Sequence, residues 1–353
     1  MAEPLPAPEA TEPHLPNYFG PLLLLSAVVV ALFLLWTGLR VEIEATSTAI
    51  LCGVAVLAIV IRSIFRDTRI RAHRVLRNGA EYFGYFVLIC VLAVLASYPA
   101  AAESTGFADP SLERVDRLMR FDWVSWYAWV SVHPALQFAG RLAYASIFVT
   151  PVILLGYFAY AERRRDATQF LISFWLAAIL TLAIFTQLPA IGPLAFLWHG
   201  PIPYMPTSAL YHVYLIEALR QHQIHLIALG NLHGLVCTPS FHTASAVLFI
   251  AFAWRIPALR WQLIGVNVAM ILATPVEGTH YLVDMLVGAG VACFSLFLTS
   301  AMLQLGSDLP AEPSRLRFDY VRRAKLSGSA IRHQFARRGS RAPAISSPGS
   351  TNG

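Results

Sequence analysis

Long apolar stretches alternate with short polar connections along most of this chain. An α-helix needs about 20 residues to cross a bilayer at about 1.5 Å per residue. We interpret the following stretches as membrane spans: 18–39, 47–65, 80–97, 136–160, 168–188, 240–254, 261–277 and 280–304, of which the sixth and seventh are short. The pattern therefore predicts an all-α integral membrane protein with about eight transmembrane helices.

Two longer segments interrupt the alternation, at residues 98–135 and 189–239. The first contains three tryptophans at three-residue spacing: Trp123, Trp126 and Trp129. Such a stripe is typical of a helix that lies at the level of the lipid headgroups. The second segment runs through an amphipathic stretch directly into the sixth span, so we expect it to cover the start of that span.

Composition agrees with a membrane protein, because 57% of the residues are hydrophobic and only 13% are charged. The mean hydropathy of +0.58 lies outside the range of ordinary soluble domains. Arginines collect after the second, fourth and sixth spans and again after residue 304. Since cytoplasmic loops accumulate Lys and Arg, both termini are predicted to be cytoplasmic. The net charge of +6 is then a topology signal, and no nucleic-acid partner is expected.

These features divide the chain into four parts. Residues 1–17 form a cytoplasmic N-terminal tail that lacks Lys and Arg, so the first span is expected to remain attached rather than to act as a signal peptide. Residues 18–79 hold an N-terminal pair of spans and a basic loop, and residues 80–304 form the membrane core. Residues 305–353 are basic and poor in apolar residues, which predicts a disordered tail.

Two short motifs carry the candidate chemistry: Pro239-Ser240-Phe241-His242 and Gly278-Thr279-His280-Tyr281-Leu282-Val283-Asp284. His280 and Asp284 are four residues apart, so on a helix the carboxylate can orient and charge the imidazole. Ser240 is placed to cap the sixth span and to leave backbone N–H groups free for an anion. The predicted topology puts both motifs at the extracytoplasmic edge, joined by one helical hairpin.

The remaining histidines and the cysteines do not indicate a metal or a disulfide. Five histidines lie in the second outer segment: His199, His212, His222, His225 and His233. We interpret them as solvated loop residues, because no carboxylate or thiolate partner completes a zinc site. Only Cys237 of the four cysteines is expected to face outside, so no disulfide framework is available. No metal and no cofactor are expected.

The motif pair resembles the type 2 phosphatidic acid phosphatase superfamily, and most of all its branch of inositol phosphorylceramide synthases and sphingomyelin synthases. The resemblance covers residues 80–304 and implies a six-helix core bundle. It implies that His280 attacks phosphorus while Asp284 holds its other ring nitrogen, and that His242 protonates the leaving group. A phosphohistidine intermediate is implied, transferred to water by a phosphatase or to an alcohol by a phosphotransferase.

The chain also departs from the superfamily. Thr274 stands where phosphatase members carry an arginine six residues before the second histidine, and no Lys-rich motif precedes Gly192-Pro193. These absences favour the phosphotransferase branch. The expected substrate-binding residues are Ser240, Arg141, Tyr144, Tyr281, Gly192 and Pro193. Arg141 is the supplementary cation for phosphate, and Glu277 could assist the acceptor hydroxyl.

The sequence therefore predicts a metal-independent membrane enzyme of a bacterial inner membrane that acts on a membrane lipid at the extracytoplasmic face. A plain lipid phosphate phosphatase, of the phosphatidate or polyprenyl phosphate type, stays open as an alternative. So does a non-catalytic lipid-binding or transport protein, although no inverted repeat favours one. A vanadate-dependent haloperoxidase is disfavoured, because the basic vanadate ligands are missing.

Overall fold

The computed structural model describes residues 19–43 and 45–308. The tails predicted at residues 1–17 and 305–353 lie outside the described residues, apart from residues 305–308 at the end of the last helix.

Helices occupy all of the predicted apolar stretches. The eight are α1 (Phe19–Trp36), α2 (Ala45–Ile64), α3 (Arg71–Glu103), α6 (Pro134–Tyr160), α7 (Arg164–Gln187), α10 (Phe241–Ala253), α11 (Arg260–Glu277) and α12 (Leu282–Asp308). Four shorter helices lie between them: α4 (Asp109–Leu118), α5 (Trp123–Ser131), α8 (Pro193–Leu197) and α9 (Tyr211–Arg220). The all-α class is confirmed.

Among the described residues, six helices are long and apolar enough to cross a membrane, namely α1, α2, α3, α6, α7 and α12. The chain is therefore a multi-pass membrane protein. The other two predicted spans are helical but fall short of that criterion. Helix α10 has 13 residues, which gives about 20 Å of rise against a hydrocarbon core of about 30 Å. Helix α11 carries polar residues at both ends and in its middle, Arg260, Asn267 and Glu277.

The core helices pack through apolar and aromatic side chains. Helix α11 packs against α6 and α10, and α3 packs against α7 and α6. Phe170 and Phe174 of α7 meet Phe249 of α10, with ring centroids 6.0 and 6.3 Å apart. Helices α1 and α2 pack mainly on α3, so the N-terminal pair flanks the remaining bundle.

One end of the bundle is held together by ion pairs between its arginine-rich connections. Buried Glu81 pairs with Arg62 at 2.8 Å and with Arg164 at 3.4 Å. Glu162 accepts two hydrogen bonds from the Arg74 guanidinium, at 3.0 and 3.1 Å, which lowers the pKa of that carboxyl. Arg255 likewise pairs with Asp166. We call this the arginine end; the two histidine motifs lie at the opposite helix ends, which we call the histidine end.

Two features at the histidine end were not predicted. Strand β1 (Arg40–Glu42), between α1 and α2, pairs in parallel with β2 (Leu226–Ala228), between α9 and α10, so the N-terminal pair is tied to the segment that leads into α10. The tryptophan helix α5 is also more than a headgroup anchor. Trp123 is 2% exposed and its indole N–H donates to the Pro275 carbonyl at 2.8 Å, while Trp129 stays exposed.

Candidate active site

The two histidine motifs meet where α10 and α12 begin. Ser240 is the N-cap of α10, and its hydroxyl accepts the Thr243 N–H at 3.3 Å. The Ser240 N–H donates to the backbone carbonyl of Asp284 at 3.2 Å. The capping expected from the sequence is confirmed, and it holds the first turn of α10 against the first turn of α12.

His280 and Asp284 form a buried pair at the start of α12. The Nδ1 atom of His280 lies 3.3 Å from the carboxylate, and the two residues are 3% and 0% exposed. The same carboxylate accepts the Tyr281 N–H at 3.2 Å and the Thr238 hydroxyl at 3.4 Å. A carboxylate at Nδ1 favours the tautomer with the proton on Nδ1, which leaves the lone pair on Nε2 for attack.

His242 is held by Tyr144 of α6. The Tyr144 hydroxyl lies 3.0 Å from Nδ1 of His242, and the two rings stack with centroids 3.8 Å apart at 13°. Gly278 lets the Tyr144–His242 pair and His280 approach each other closely. A Cβ at that position would lie 3.0 Å from the Tyr144 hydroxyl and 2.5 Å from Cδ2 of His280. The three side chains therefore meet around a backbone that tolerates no side chain of its own.

A carboxylate from outside the motifs caps α12. Asp116 of α4 is 3% exposed and accepts the N–H groups of Leu282 at 2.8 Å and Val283 at 2.9 Å. Burial raises the pKa of this carboxyl, although both hydrogen bonds oppose the shift. Asp116 thereby fixes the first turn of the helix that carries Asp284.

A second buried carboxylate, Asp109, joins the loop at Ile191 and Gly192, which we call the Gly192 loop, to the second motif. It accepts the N–H groups of Ile191 at 3.0 Å and Gly192 at 2.9 Å, and the Tyr281 hydroxyl at 3.0 Å. Gly192 has φ +84°, and a Cβ there would lie 2.6 Å from the Thr279 carbonyl oxygen. Gly192 and Pro193 thus lie beside the backbone that precedes His280, whereas the Tyr281 hydroxyl points to Asp109.

Arg141 and Glu277 share a hydrogen-bonded chain next to the histidines. The Nε of Arg141 donates to the Tyr204 hydroxyl at 2.9 Å, and that hydroxyl donates to Glu277 at 2.5 Å. The other oxygen of Glu277 accepts the N–H and hydroxyl of Thr207, at 3.0 and 2.6 Å. Glu277 is 1% exposed, so its carboxylate is engaged in holding Tyr204 and Thr207.

The interpretation of the outer histidines as solvated is wrong for His212. This residue of α9 is 7% exposed, and its Nε2 lies 2.7 Å from the Ile191 carbonyl oxygen. Burial lowers the pKa of His212, so the neutral ring donates to that carbonyl and helps to hold the Gly192 loop. His199, His222 and His225 are exposed. Cys237, expected to face outside, is buried at 4% exposure.

A cavity of about 300 Å³ opens beside Tyr281, between α4, α5 and α8. Its lining combines carboxylates with aromatic rings and one arginine, and includes Glu113, Asp116, Arg117, Trp123 and Tyr281. Polar and aromatic side chains therefore share the lining of the cavity, and one of its lining residues, Tyr281, directly follows His280 in the chain.

The comparison with known protein families identifies the chain at the superfamily level. A family model described as the PAP2 superfamily matches residues 110–298, more than half of the chain. The chain belongs to the PAP2 superfamily. PAP2 proteins are in general phosphoesterases, so the membership supports a phosphatase or phosphotransferase of lipid phosphates. No curated protein and no solved structure shows significant similarity to the chain.

The PAP2 match extends from α4 to α12, so it contains both histidine motifs together with Asp116, Tyr144 and the Gly192 loop. Sequence reasoning missed Asp109 and Asp116 as residues of the site. A signal for them exists, because they lie seven apart and therefore on one face of a helix. In the structure that face is turned toward the start of α12.

Proposed function

We propose that this PAP2 protein is a lipid phosphotransferase that moves a phosphoryl-containing group from a membrane lipid to an alcohol acceptor at the extracytoplasmic face. The observation that carries the proposal is the buried His280–Asp284 pair beside the Tyr144–His242 pair, with Gly278 between them. One imidazole is oriented by a carboxylate and the other by a phenol, which separates a nucleophile from an acid.

The proposed reaction has two steps. In the first, Nε2 of His280 attacks phosphorus, the bond to the leaving oxygen breaks, and protonated His242 gives that oxygen its proton. Asp284 stabilises the positive charge that develops on His280. In the second, neutral His242 takes the proton of the acceptor hydroxyl, whose oxygen attacks phosphorus and releases His280. The acceptor decides between the two activities, since water yields a phosphatase and an alcohol yields a transferase.

The extracytoplasmic location is inferred from the arginines. The ion-paired connections of the arginine end, including Arg62, Arg74 and Arg255, lie at the opposite helix ends from His242 and His280. Because positively charged connections stay on the cytoplasmic side, the histidine end is assigned to the other face, with both termini cytoplasmic.

Preference for transfer over hydrolysis rests on Thr274. Threonine carries no charge, and the Thr274 hydroxyl is fully buried and donates to the Met270 carbonyl at 2.7 Å. This position therefore offers phosphate neither a cation nor a free donor. The departure from the phosphatase pattern favours the inositol phosphorylceramide synthase-like branch. The polar and aromatic cavity beside Tyr281 has room for the headgroup of an acceptor. A plain lipid phosphate phosphatase is the second candidate, because PAP2 membership supports it equally.

The proposal is tested with the full-length protein in phospholipid vesicles that contain a radiolabelled phospholipid. Candidate alcohols, including inositol and other polyols, are supplied one at a time. We expect a labelled acceptor product that forms at the expense of released phosphate. Release of phosphate that no acceptor diminishes would make the protein a phosphatase. An absence of turnover with every phospholipid offered would favour the non-catalytic lipid-binding alternative.

Arg141 supplies the phosphate-binding cation in this proposal. Its Nε donates to Tyr204, and its two terminal nitrogens donate to no acceptor among the described residues. We expect Arg141→Gln to lower kcat/KM by about 10- to 100-fold, since a charge-assisted hydrogen bond contributes about 1.5–3 kcal/mol. Arg141→Lys should recover part of the loss. Arg114→Gln, at an exposed arginine of α4, is the matched control. Equal rates for the Arg141 and Arg114 variants would assign phosphate binding elsewhere.

A further inference from the structure

Cys237 lies inside the candidate active site but has no part in the proposed reaction. The residue is 4% exposed, and its thiol donates to the Thr279 carbonyl at 3.7 Å. Its sulfur lies 3.1 Å from the position that a Cβ on Gly192 would occupy. A thiol is therefore built into the wall between the Gly192 loop and the backbone that leads to His280.

The thiol shares its surroundings with two further metal-binding groups. One ligand atom each from Cys237, His280 and Asp284 lies within 4.8 Å of the others, and all three residues are buried. Ligands of one tetrahedral zinc ion, with bonds of about 2.0–2.3 Å, are about 3.5 Å apart. Small side-chain movements would bring these three groups to such distances.

A fourth potential ligand atom, the hydroxyl oxygen of Thr279, also lies beside Gly192. The Thr279 hydroxyl is fully buried and has no hydrogen-bond partner among the described residues. The hydroxyl oxygen and the Cys237 sulfur each lie 3.1 Å from the position that a Cβ on Gly192 would occupy. A buried hydroxyl without a partner is costly, and a metal ion or its bound water would satisfy it.

We propose that Cys237, His280 and Asp284 bind a Zn²⁺ ion, and that this ion inhibits the enzyme. Thiolate, imidazole and carboxylate are the three ligand types that zinc takes in proteins, and thiolate selects zinc over Mg²⁺ and Ca²⁺. The catalytic chemistry proposed for this protein needs no metal. Zinc is therefore a ligand that competes with the reaction at its own nucleophile.

Inhibition follows because zinc bound to one ring nitrogen of His280 leaves the ring proton on the other. Zinc takes the lone pair of Nδ1 and the adjacent carboxylate oxygen, and the Cys237 thiol releases its proton to solvent. The ring proton then resides on Nε2, which has no lone pair left to attack phosphorus. This inhibitory step rests on the proposed function, whereas the binding of the ion rests only on the three ligands.

Binding is measured without any turnover assay. The full-length protein in detergent is titrated with Co²⁺, whose bond to a thiolate gives a near-ultraviolet charge-transfer band, and the bound ion is then displaced with Zn²⁺. We expect one ion per chain and a band that disappears in Cys237→Ser and in Asp284→Asn. Cys293→Ser, at an exposed cysteine of α12, is the matched control and should retain the band.

Three outcomes would overturn the site. They are the absence of a band in the native chain, a band that survives both Cys237→Ser and Asp284→Asn, or a band that Cys293→Ser removes. Two separate ligands are replaced, so if one variant misfolds, the other variant still tests the site.

The inhibition is measured on the same preparations with labelled phospholipid. Relative to its own rate without zinc, Cys237→Ser should need at least about 10-fold more zinc for half-inhibition than the native chain, since one of three protein ligands is lost. The native and Cys237→Ser chains could prove equally sensitive to zinc while only the native chain shows the cobalt band. That result would contradict inhibition through this site but would support the metal site itself. If no chain turned over lipid, the proposed function would fail while the cobalt titration still tested the site.

Discussion

Replacing His280 with alanine should lower transfer from the lipid substrate by about 10⁴-fold or more, because the substitution removes the atom that bonds to phosphorus. No later step can compensate, since both half-reactions pass through the same nitrogen. The side chain is 3% exposed and pairs with Asp284, so its loss also leaves a buried carboxylate without its imidazole partner. The measurement is single-turnover transfer in vesicles.

A trapped intermediate separates a lost nucleophile from a damaged fold. The native protein, quenched in alkali during turnover of a substrate labelled at phosphorus, should retain an acid-labile, alkali-stable label. The His280→Ala chain should retain none. His199→Ala, at an exposed histidine of the segment 189–239, is the matched control and should be labelled like the native chain. Label that persisted in His280→Ala would assign the nucleophile to another residue.

The parts of the site that could be predicted from the sequence are those set by local spacing. His280 and Asp284 are four residues apart and pair as expected, although His280 lies two residues before α12 begins at Leu282. Ser240 lies immediately before α10 and caps it as expected. These contacts need little knowledge of the rest of the fold, because each joins residues at most four positions apart in the chain.

The parts that could not be predicted join residues far apart in the chain. Asp109 reaches Tyr281 across 172 positions, and Asp116 reaches Leu282 across 166. Their seven-residue spacing places both carboxylates on one helix face, but carboxylates in an amphipathic segment are usually solvated. The spacing therefore does not identify their partners before the helices are packed. The prediction of a solvated His212 is wrong for the same reason, since only the packed structure shows that the ring is buried and bonded to the Ile191 carbonyl.

Helices α10 and α11 show where hydropathy alone falls short. They lie at the predicted positions, but α10 is short and α11 carries buried Asn267 and Glu277. A helix that lines a polar site can keep such residues because its neighbours, not lipid, satisfy them. The amide of Asn267 donates to the Thr150 hydroxyl of α6 at 3.4 Å, besides the Leu263 carbonyl of its own helix at 2.8 Å. Glu277 is satisfied by Tyr204 and Thr207 of the segment before α10.

Replacing His242 with alanine should have an effect that depends on the leaving group. On the lipid substrate we expect a loss of about 10²- to 10⁴-fold, because an alkoxide leaves poorly without a proton and general acids contribute that much. On an analogue whose leaving group is a nitrophenolate, the first step needs no proton, so its loss should be less than about 10-fold. Tyr144→Phe keeps the stacked ring but removes the hydroxyl at Nδ1, and should fall between the native and alanine variants.

The same variant should uncouple the two steps of the reaction. With the nitrophenolate analogue, His242→Ala should still form the His280 phosphoenzyme quickly, but it lacks the base that takes the acceptor's proton. Nitrophenolate should therefore appear in a burst of about one equivalent per active site, followed by slow turnover, while the alkali-stable label accumulates above its native level. A loss as large on the analogue as on the lipid, without a burst, would mean that His242 acts on phosphorus binding rather than on the leaving group, and the division of roles between the two histidines would have to be abandoned.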